Sequence, residues 1–487
     1  MAQEFDFVIV GGGTAGCLLA SRLANAPSEP SIALLEGGSD INKPEYRRTA
    51  DRFTTVGQPG LSYDYVSTPQ EHASNRQIPQ IRGRGLGGSS AVNFQVWSLG
   101  AREEFDAWAD IAGDETWGFD SVIARVKKLE NLHLDELTPE WTEYVQPDSK
   151  YHGFSGPIDV CIGPVERETK SFIDAGVDLG HNRNLDPNNG NPIGFSLNPT
   201  SSFKGLRTTS ASAFLGTTTP ANLTVFTNSR VVKIIFSGDS AIGVLTSDGS
   251  QINAKKEVIL SAGALDTPRL LLLSGVGPKS DLEALGIKVV KDLDGVGKGL
   301  ADHPMIGPVI PRDHVFDDTE SGFFTLFATN MNSQSRGFVK LASADPDDPP
   351  LIDPKYLGHP FDVVTLKEAL REALKLIQTP TMKDHFVKPI LAPKSDSDHD
   401  LLEFIQGNVA GLWHPSCSVR MGKSETDGSC VGGDLKVHGI KGLRVADVSV
   451  TSILPSGRED THFQDPQIVA YVIGQVAADK IMGKYGL

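Results

Sequence analysis

"FDFVIVGGGTAGCLLASRLA", Phe5 to Ala24, decides how the rest of the chain is read. Phe7 to Val10 form an apolar run of strand length, and Leu18, Leu19, Ala20 and Leu23 mark the inner face of a following helix. Between them Gly11, Gly13 and Gly16 make G-x-G-x-x-G. In such a unit the first glycine permits a tight turn, the second lets backbone approach a pyrophosphate, and the third lets helix pack on strand. The phosphate then meets free N–H groups at the helix N-terminus. A second strand, "SIALLEGG" (Ser31 to Gly38), ends in Glu36, twenty residues after Gly16, where an acid hydrogen-bonds a ribose hydroxyl. Strand, turn, helix, second strand and acid in register define a dinucleotide site. The acid disfavours a 2′-phosphate, and hence NADP, but does not separate NAD from FAD.

The composition is that of a globular enzyme. A chain of 487 residues accommodates two or three ordinary domains, or one large nucleotide-binding enzyme with an elaborated second domain. Apolar residues at 39% and charged residues at 22% argue against wholesale disorder. The formal net charge of −16 argues against nucleic acid or an anionic membrane as the main partner. Cys17, Cys161, Cys417 and Cys430 lack metal-ligand spacing and are too few for a disulfide framework, so no metal is expected. Pairing of Cys417 with Cys430 is the alternative to buried or free thiols. No stretch approaches the roughly 20 apolar residues of a membrane span. The first strand starts within a few residues of Met1, leaving no room for a basic and apolar leader, so an intracellular, cytoplasmic protein is expected.

Two more glycine clusters follow. "GRGLGGSSAVNFQVWSLGAREEFD" (Gly83 to Asp106) is too polar and glycine-rich for a core strand, and sets backbone N–H groups, serine hydroxyls and the amide of Asn93 against a ligand. "GALDTPRLLLLSGVG" (Gly263 to Gly277) has a helical core, Pro268 to Leu273, between small-residue ends. Both fit, position by position, the two signature patterns of the glucose-methanol-choline (GMC) family of flavin oxidoreductases, which the chain resembles nearly end to end. "STPQ" (Ser67 to Gln70), "GVGKGLADHP" (Gly295 to Pro304), "SRGFVKLASADP" (Ser335 to Pro346), "WHPSCSVRMG" (Trp413 to Gly422) and "GLRVADVSV" (Gly442 to Val450) continue the likeness in order.

The resemblance implies FAD and an α/β fold: a Rossmann-like FAD-binding domain from residues 1–150, 205–310 and 435–487, with a discontinuous α+β substrate domain, an antiparallel sheet plus helices, from 151–204 and 311–434. "ANLTVFTNSRVVKIIF" and "GSQINAKKEVILSAG" read as strands, and "FDVVTLKEALREALKLIQ" (Phe361 to Gln378) as a helix. Carried over residue by residue, Thr14 and Ala15 lie at the pyrophosphate, Glu36 on the adenosine ribose, and the backbone of Val231 beside adenine. Leu86, Ser90 and Asn93 lie along the middle of the cofactor and its ring, and Asp447 on the phosphate and ribitol side. Some members attach FAD through a histidine just before the signature asparagine; that position is Val92 here, so a non-covalent flavin is expected.

Members of this family oxidise alcohols or related CH–OH donors, a histidine accepting the hydroxyl proton as hydride passes to the flavin. His414 matches it, an imidazole suiting the task because its pKa lies near neutral, and Trp413 is expected near the flavin. The second active-site position is usually histidine or asparagine. Counted back without gaps from "AADKI" (Ala477 to Ile481) it falls on Asp465, with Gln467 matching a common glutamine; a shifted register would put it on His462. An ionised Asp465 would favour imidazolium at His414 and weaken it as a base, whereas a protonated one would donate much as asparagine does. The roughly thirty residues between His303 and Ser335 are fewer than usual in the family, implying a more open pocket for a bulky substrate or cover from another subunit. The expected activity is FAD-dependent alcohol oxidation. The rivals are a lyase or isomerase on the same scaffold and a catalytically dead flavin-binding protein, the last disfavoured by His414.

Overall fold

The structure, a computed structural model, describes residues 3–163, 165, 167–216, 219–307, 325–383, 391–455 and 466–487. The opening run forms β1 (Gln3–Val10), and the glycine turn leads into α1 (Thr14–Ala24). β2 (Ile32–Leu35) follows, and then, after a long excursion, β3 (Leu223–Phe226), β4 (Val231–Ser237), β5 (Ser240–Thr246) and β6 (Gln251–Leu260). α2 (Gly263–Leu273), β7 (Leu443–Val445) and α3 (Gln467–Tyr485) complete this part.

The sheet runs β4-β5-β6-β1-β2-β3, with β7 also on β6. β3, β2, β1, β6 and β7 are parallel, and β4 and β5 extend the sheet antiparallel. The ten-residue β6 serves two partners along one edge: Gln251 to Asn253 pair with β5, and Val258 to Leu260 with β7. Phe7 to Val10, Ile32 to Leu35 and Val258 to Leu260 are all buried, as expected of parallel strands covered on both faces. α3 is buried around nearly its whole circumference, which makes it a core helix. It lies so close to α1 that a Cβ on Gly474 would come within 2.8 Å of the Ala15 carbonyl.

Two small antiparallel sheets stand apart. One pairs Lys298–Leu300, Gly337–Lys340 and Leu351–Asp353; the other sets Pro304–Ile306 between Ala328–Thr329 and Ala410–Gly411. Helices Pro360–Leu376 and Asp398–Asn408 pack beside the second around Leu366, Leu370, Leu401 and Ile405.

α2 begins five residues ahead of the helical core expected from Pro268, so the proline lies inside it. Proline has no N–H to give the carbonyl one turn back, that of Ala264. The hydroxyl of Ser418 donates to that carbonyl instead, at 2.6 Å. All four cysteines are buried free thiols. No helix among the described residues is long and apolar enough to cross a membrane.

Candidate active site

The carboxyl ends of β1, β2, β6 and β7 converge on one elongated cavity, as expected for a doubly wound sheet. The three glycines of the turn serve it differently. Gly11 has φ +103°, and a Cβ there would lie 2.3 Å from the Ser261 carbonyl oxygen; a Cβ on Gly16 would lie 2.0 Å from that of Gly11. The protein itself requires both. A Cβ on Gly13 would meet nothing closer than 3.9 Å. Its φ of −83° suits any residue, so the protein leaves open the space where a pyrophosphate must approach.

Glu36 closes the nucleotide end. Its buried carboxylate accepts the N–H groups of Gly12 (2.9 Å), Gly38 (2.8 Å) and Gly85 (3.1 Å), tying three glycine segments together. Burial raises its pKa, and the three N–H groups oppose that rise. Thr14, Ala15, Arg230 and Val231 line the same end.

Farther along, the Ser90 hydroxyl donates to the Gly87 carbonyl (2.6 Å) and accepts the N–H of Ser210 (3.0 Å). Asn93 donates to the Gln467 side chain at 2.9 Å and accepts from the buried Arg207 guanidinium at 2.9 Å. Asp447 accepts from the Thr267 hydroxyl and from the N–H groups of Gly263 and Ser449. Val92 lines the wall with an aliphatic side chain that offers no nucleophile. Leu86 and Gly16 lie behind the wall: Leu86 packs under Gly12, and Gly16 lets helix meet strand.

The far end is built from two distant segments. Pairing of Pro304 with Gly411, extended by the Leu412 N–H donating to the His303 carbonyl, sets His303 beside His414. Trp413 takes φ +60°, a left-handed conformation rare for a bulky residue. Arg82 donates to its carbonyl, and its indole N–H donates to that of Pro79 at 3.0 Å. One carboxylate oxygen of buried Asp302 accepts the backbone N–H of both His303 and His414, each at 2.8 Å. The other accepts the Tyr356 hydroxyl, which accepts in turn from Gln80. A Cβ on Gly411 would lie 1.9 Å from that hydroxyl, so the network excludes any side chain there.

The two imidazoles meet Nδ1 to Nδ1 at 3.0 Å with their rings perpendicular. Burial pushes His303 down to about 3. Burial, then His303 and the Arg82 cation, hold His414 well below its usual range. Both rings are neutral at pH 7. Phe94 lies beside Trp413, and the exposed Phe53 beside Phe94.

Sequence reading placed His414, Trp413, Asn93, Gln467, Ser90, Asp447, Val231 and Glu36 in this cavity, and all line it. Asp465 and His462 lie outside the described residues, as does most of the segment between His303 and Ser335. Sequence reading missed His303, Asp302, Tyr356 and Arg207. The signal for the first two lay in "GLADHP", within the family-like stretch.

The GMC oxidoreductase family model matches residues 5–305, and its C-terminal counterpart matches 333–463. The chain is 31% identical to an alcohol dehydrogenase [acceptor] from Pseudomonas putida, over 93% of this chain and 92% of that protein. It is 30% identical to an oxygen-dependent choline dehydrogenase from Pseudomonas fluorescens, over 100% and 95%. The solved structure of pyridoxine 4-oxidase from Mesorbium loti superimposes with a TM-score of 0.86 at 25% identity, covering 98% of this chain and 99% of that one. The chain belongs to the GMC oxidoreductase family. It is an FAD-dependent oxidoreductase, and the space left at Gly13, the helix N-terminus beside it and a cavity lined from Glu36 to His414 fit that cofactor.

Proposed function

We propose that the protein oxidises an alcohol-type CH–OH donor to the carbonyl, with His414 as the base. FAD, when bound, supplies the acceptor for the hydride. Neutral His414 has a lone pair available at pH 7, the first requirement of a general base. Its Nδ1 is engaged by His303, so Nε2 is the nitrogen left for the substrate hydroxyl. This is the observation that carries the reading: a neutral imidazole in the cavity wall, its main chain and one ring nitrogen both held. The proton moves from the hydroxyl to Nε2 and later leaves to solvent. Relatives named for alcohol and for choline support this substrate class.

Residues 1–150, 205–310 and 435–487 hold FAD in this reading, and 151–204 and 311–434 form the substrate side. Thr14 and Ala15 meet the pyrophosphate, Glu36 the ribose and Val231 the adenine; Ser90, Asn93, Asp447 and Gln467 line the rest. Asp465 is the second active-site residue, directly ahead of Pro466 and Gln467, which both line the cavity. Flavin is non-covalent because Val92 offers no nucleophile, so acid precipitation releases it into the supernatant. Anaerobic mixing with a panel of primary alcohols tests the activity: bleaching of the flavin supports oxidation, whereas turnover of a hydroxynitrile without bleaching supports a lyase.

A further inference from the structure

Two neutral imidazoles that meet Nδ1 to Nδ1 at 3.0 Å share one proton. Two protons there would clash and none would set lone pair against lone pair. The role of His414 as base decides which ring carries it. His303 is wholly buried, and its Nε2 has no partner of normal hydrogen-bond geometry among the described residues. The polar backbone groups that favour a proton on this ring are carbonyls, those of Pro455 and Met331. A neutral imidazole that acts as a base through Nε2 carries its proton on Nδ1, and His414 Nδ1 is the nitrogen that meets His303, so His303 Nδ1 is the acceptor and the one proton of His303 sits on Nε2.

We propose that His303 is a positioning residue that holds His414 in the tautomer required of a base: His414 donates Nδ1–H to His303 Nδ1 and so presents an unprotonated Nε2 to the substrate. This rests on the assignment of His414 as the base. Asp302 fixes both main chains through one oxygen, so the two rings keep their register. Among the described residues the charged groups that face the pair are Arg82, Arg336 and Asp302, and the Asp302 carboxylate is directed to the two N–H groups and Tyr356. In the reaction the hydroxyl proton moves to His414 Nε2 as the C=O bond forms, and FAD, when bound, would supply the acceptor for the hydride lost from that carbon. His414 Nδ1 keeps its proton throughout. It becomes a charge-assisted donor to His303, which neither gains nor loses a proton.

The test pairs a spectroscopic reading with three substitutions. In oxidised holoenzyme labelled with 15N-histidine, the resonances of His414, assigned by their loss in His414→Gln, are expected to show protonated Nδ1 and bare Nε2. The reverse tautomer would overturn the proposal, whatever the activity. An asparagine amide oxygen can take the place of His303 Nδ1, a glutamine amide takes that of Nε2, and leucine offers no acceptor. His303→Asn is therefore expected to reduce flavin within about tenfold of the wild-type rate. His303→Gln and His303→Leu are expected to lose about 10²-fold or more, as when a catalytic histidine loses the partner that fixes its tautomer. The limb of the pH profile set by His414 should move in the leucine variant and hold in the asparagine one. Should leucine fail to fold, the Asn–Gln contrast and the wild-type tautomer still decide. Equal rates in all three variants would overturn the proposal. A wild-type enzyme that no alcohol reduces would remove the base assignment, and the spectroscopic result would still report the tautomer.

Discussion

Among the described residues, His152 and His303 are both buried almost completely and end in opposite protonation states. His303 faces another imidazole and backbone carbonyls, and burial takes it down to about 3. His152 lies between two carboxylates, with Nδ1 at 3.0 Å from Glu130 and Nε2 at 3.1 Å from Asp186. Burial lowers it too, but the carboxylates outweigh that and raise it to about 9. Burial sets the penalty, and partners decide whether a charge is worth keeping. At His152 the charge ties the loops around Gly153 and Asp186 to Glu130. At the cavity the neutral pair keeps a lone pair available for chemistry.

The largest effect is expected at the charged site. Glu130 also accepts the indole N–H of Trp97 and the backbone N–H of Gly153. Glu130→Gln would turn an N–H toward one of those donors and strip His152 of a counter-charge. A loss of about 3–5 kcal/mol is expected in urea unfolding, the range for breaking a buried pair. A loss under about 1 kcal/mol would mean that His152 is neutral in the wild type.

A pH series sharpens the same point. A histidine raised from 6.5 to about 9 on folding contributes stability that is fully present below 6.5 and lost as pH rises through 9. On the order of 3 kcal/mol of unfolding free energy should disappear over that window. In Glu130→Gln the dependence should flatten.

The neutral pair is read by rate. His414→Ala is expected to slow anaerobic flavin reduction by about 10²-fold or more, with folding and FAD content retained. A normal rate would dismiss His414 as the base. The smallest effect is expected from Tyr356→Phe, which removes one hydrogen bond to Asp302 and leaves both backbone N–H contacts to hold the histidines. About 1–2 kcal/mol of stability and a few-fold loss in rate should result. A collapse as deep as that of His414→Ala would mean that the tyrosine acts in the chemistry itself.

The nucleotide end was legible because its information is local. Strand, turn and helix occupy twenty consecutive residues, and within them the apolar run Phe7 to Val10 gives way, past the glycines, to Leu18, Leu19, Ala20 and Leu23 of the helix. Glu36 could be placed because one helix and one strand span a nearly fixed length. His414 was reached by family likeness, and nothing in its own segment separates a base from a structural histidine before a proline. Asn93 was expected beside the cofactor, but its bonds to Arg207 and Gln467 span 114 and 374 positions and leave no periodic trace.

By itself, then, the sequence determined the dinucleotide unit, its glycine turn and the acid that closes it, since each follows from neighbours along the chain. Tertiary structure supplied the physical ground for the roles that the motif gives its three glycines, by filling the space at Gly11 and Gly16 and leaving it open at Gly13. It also decided that α2 continues through Pro268, because Ser418 arrives to satisfy Ala264. Above all it paired His303 with His414 across 111 positions. The register between Pro304–Ile306 and Ala410–Gly411 makes that contact, and a protonation state depends on what stands within a few ångströms, however far away along the chain.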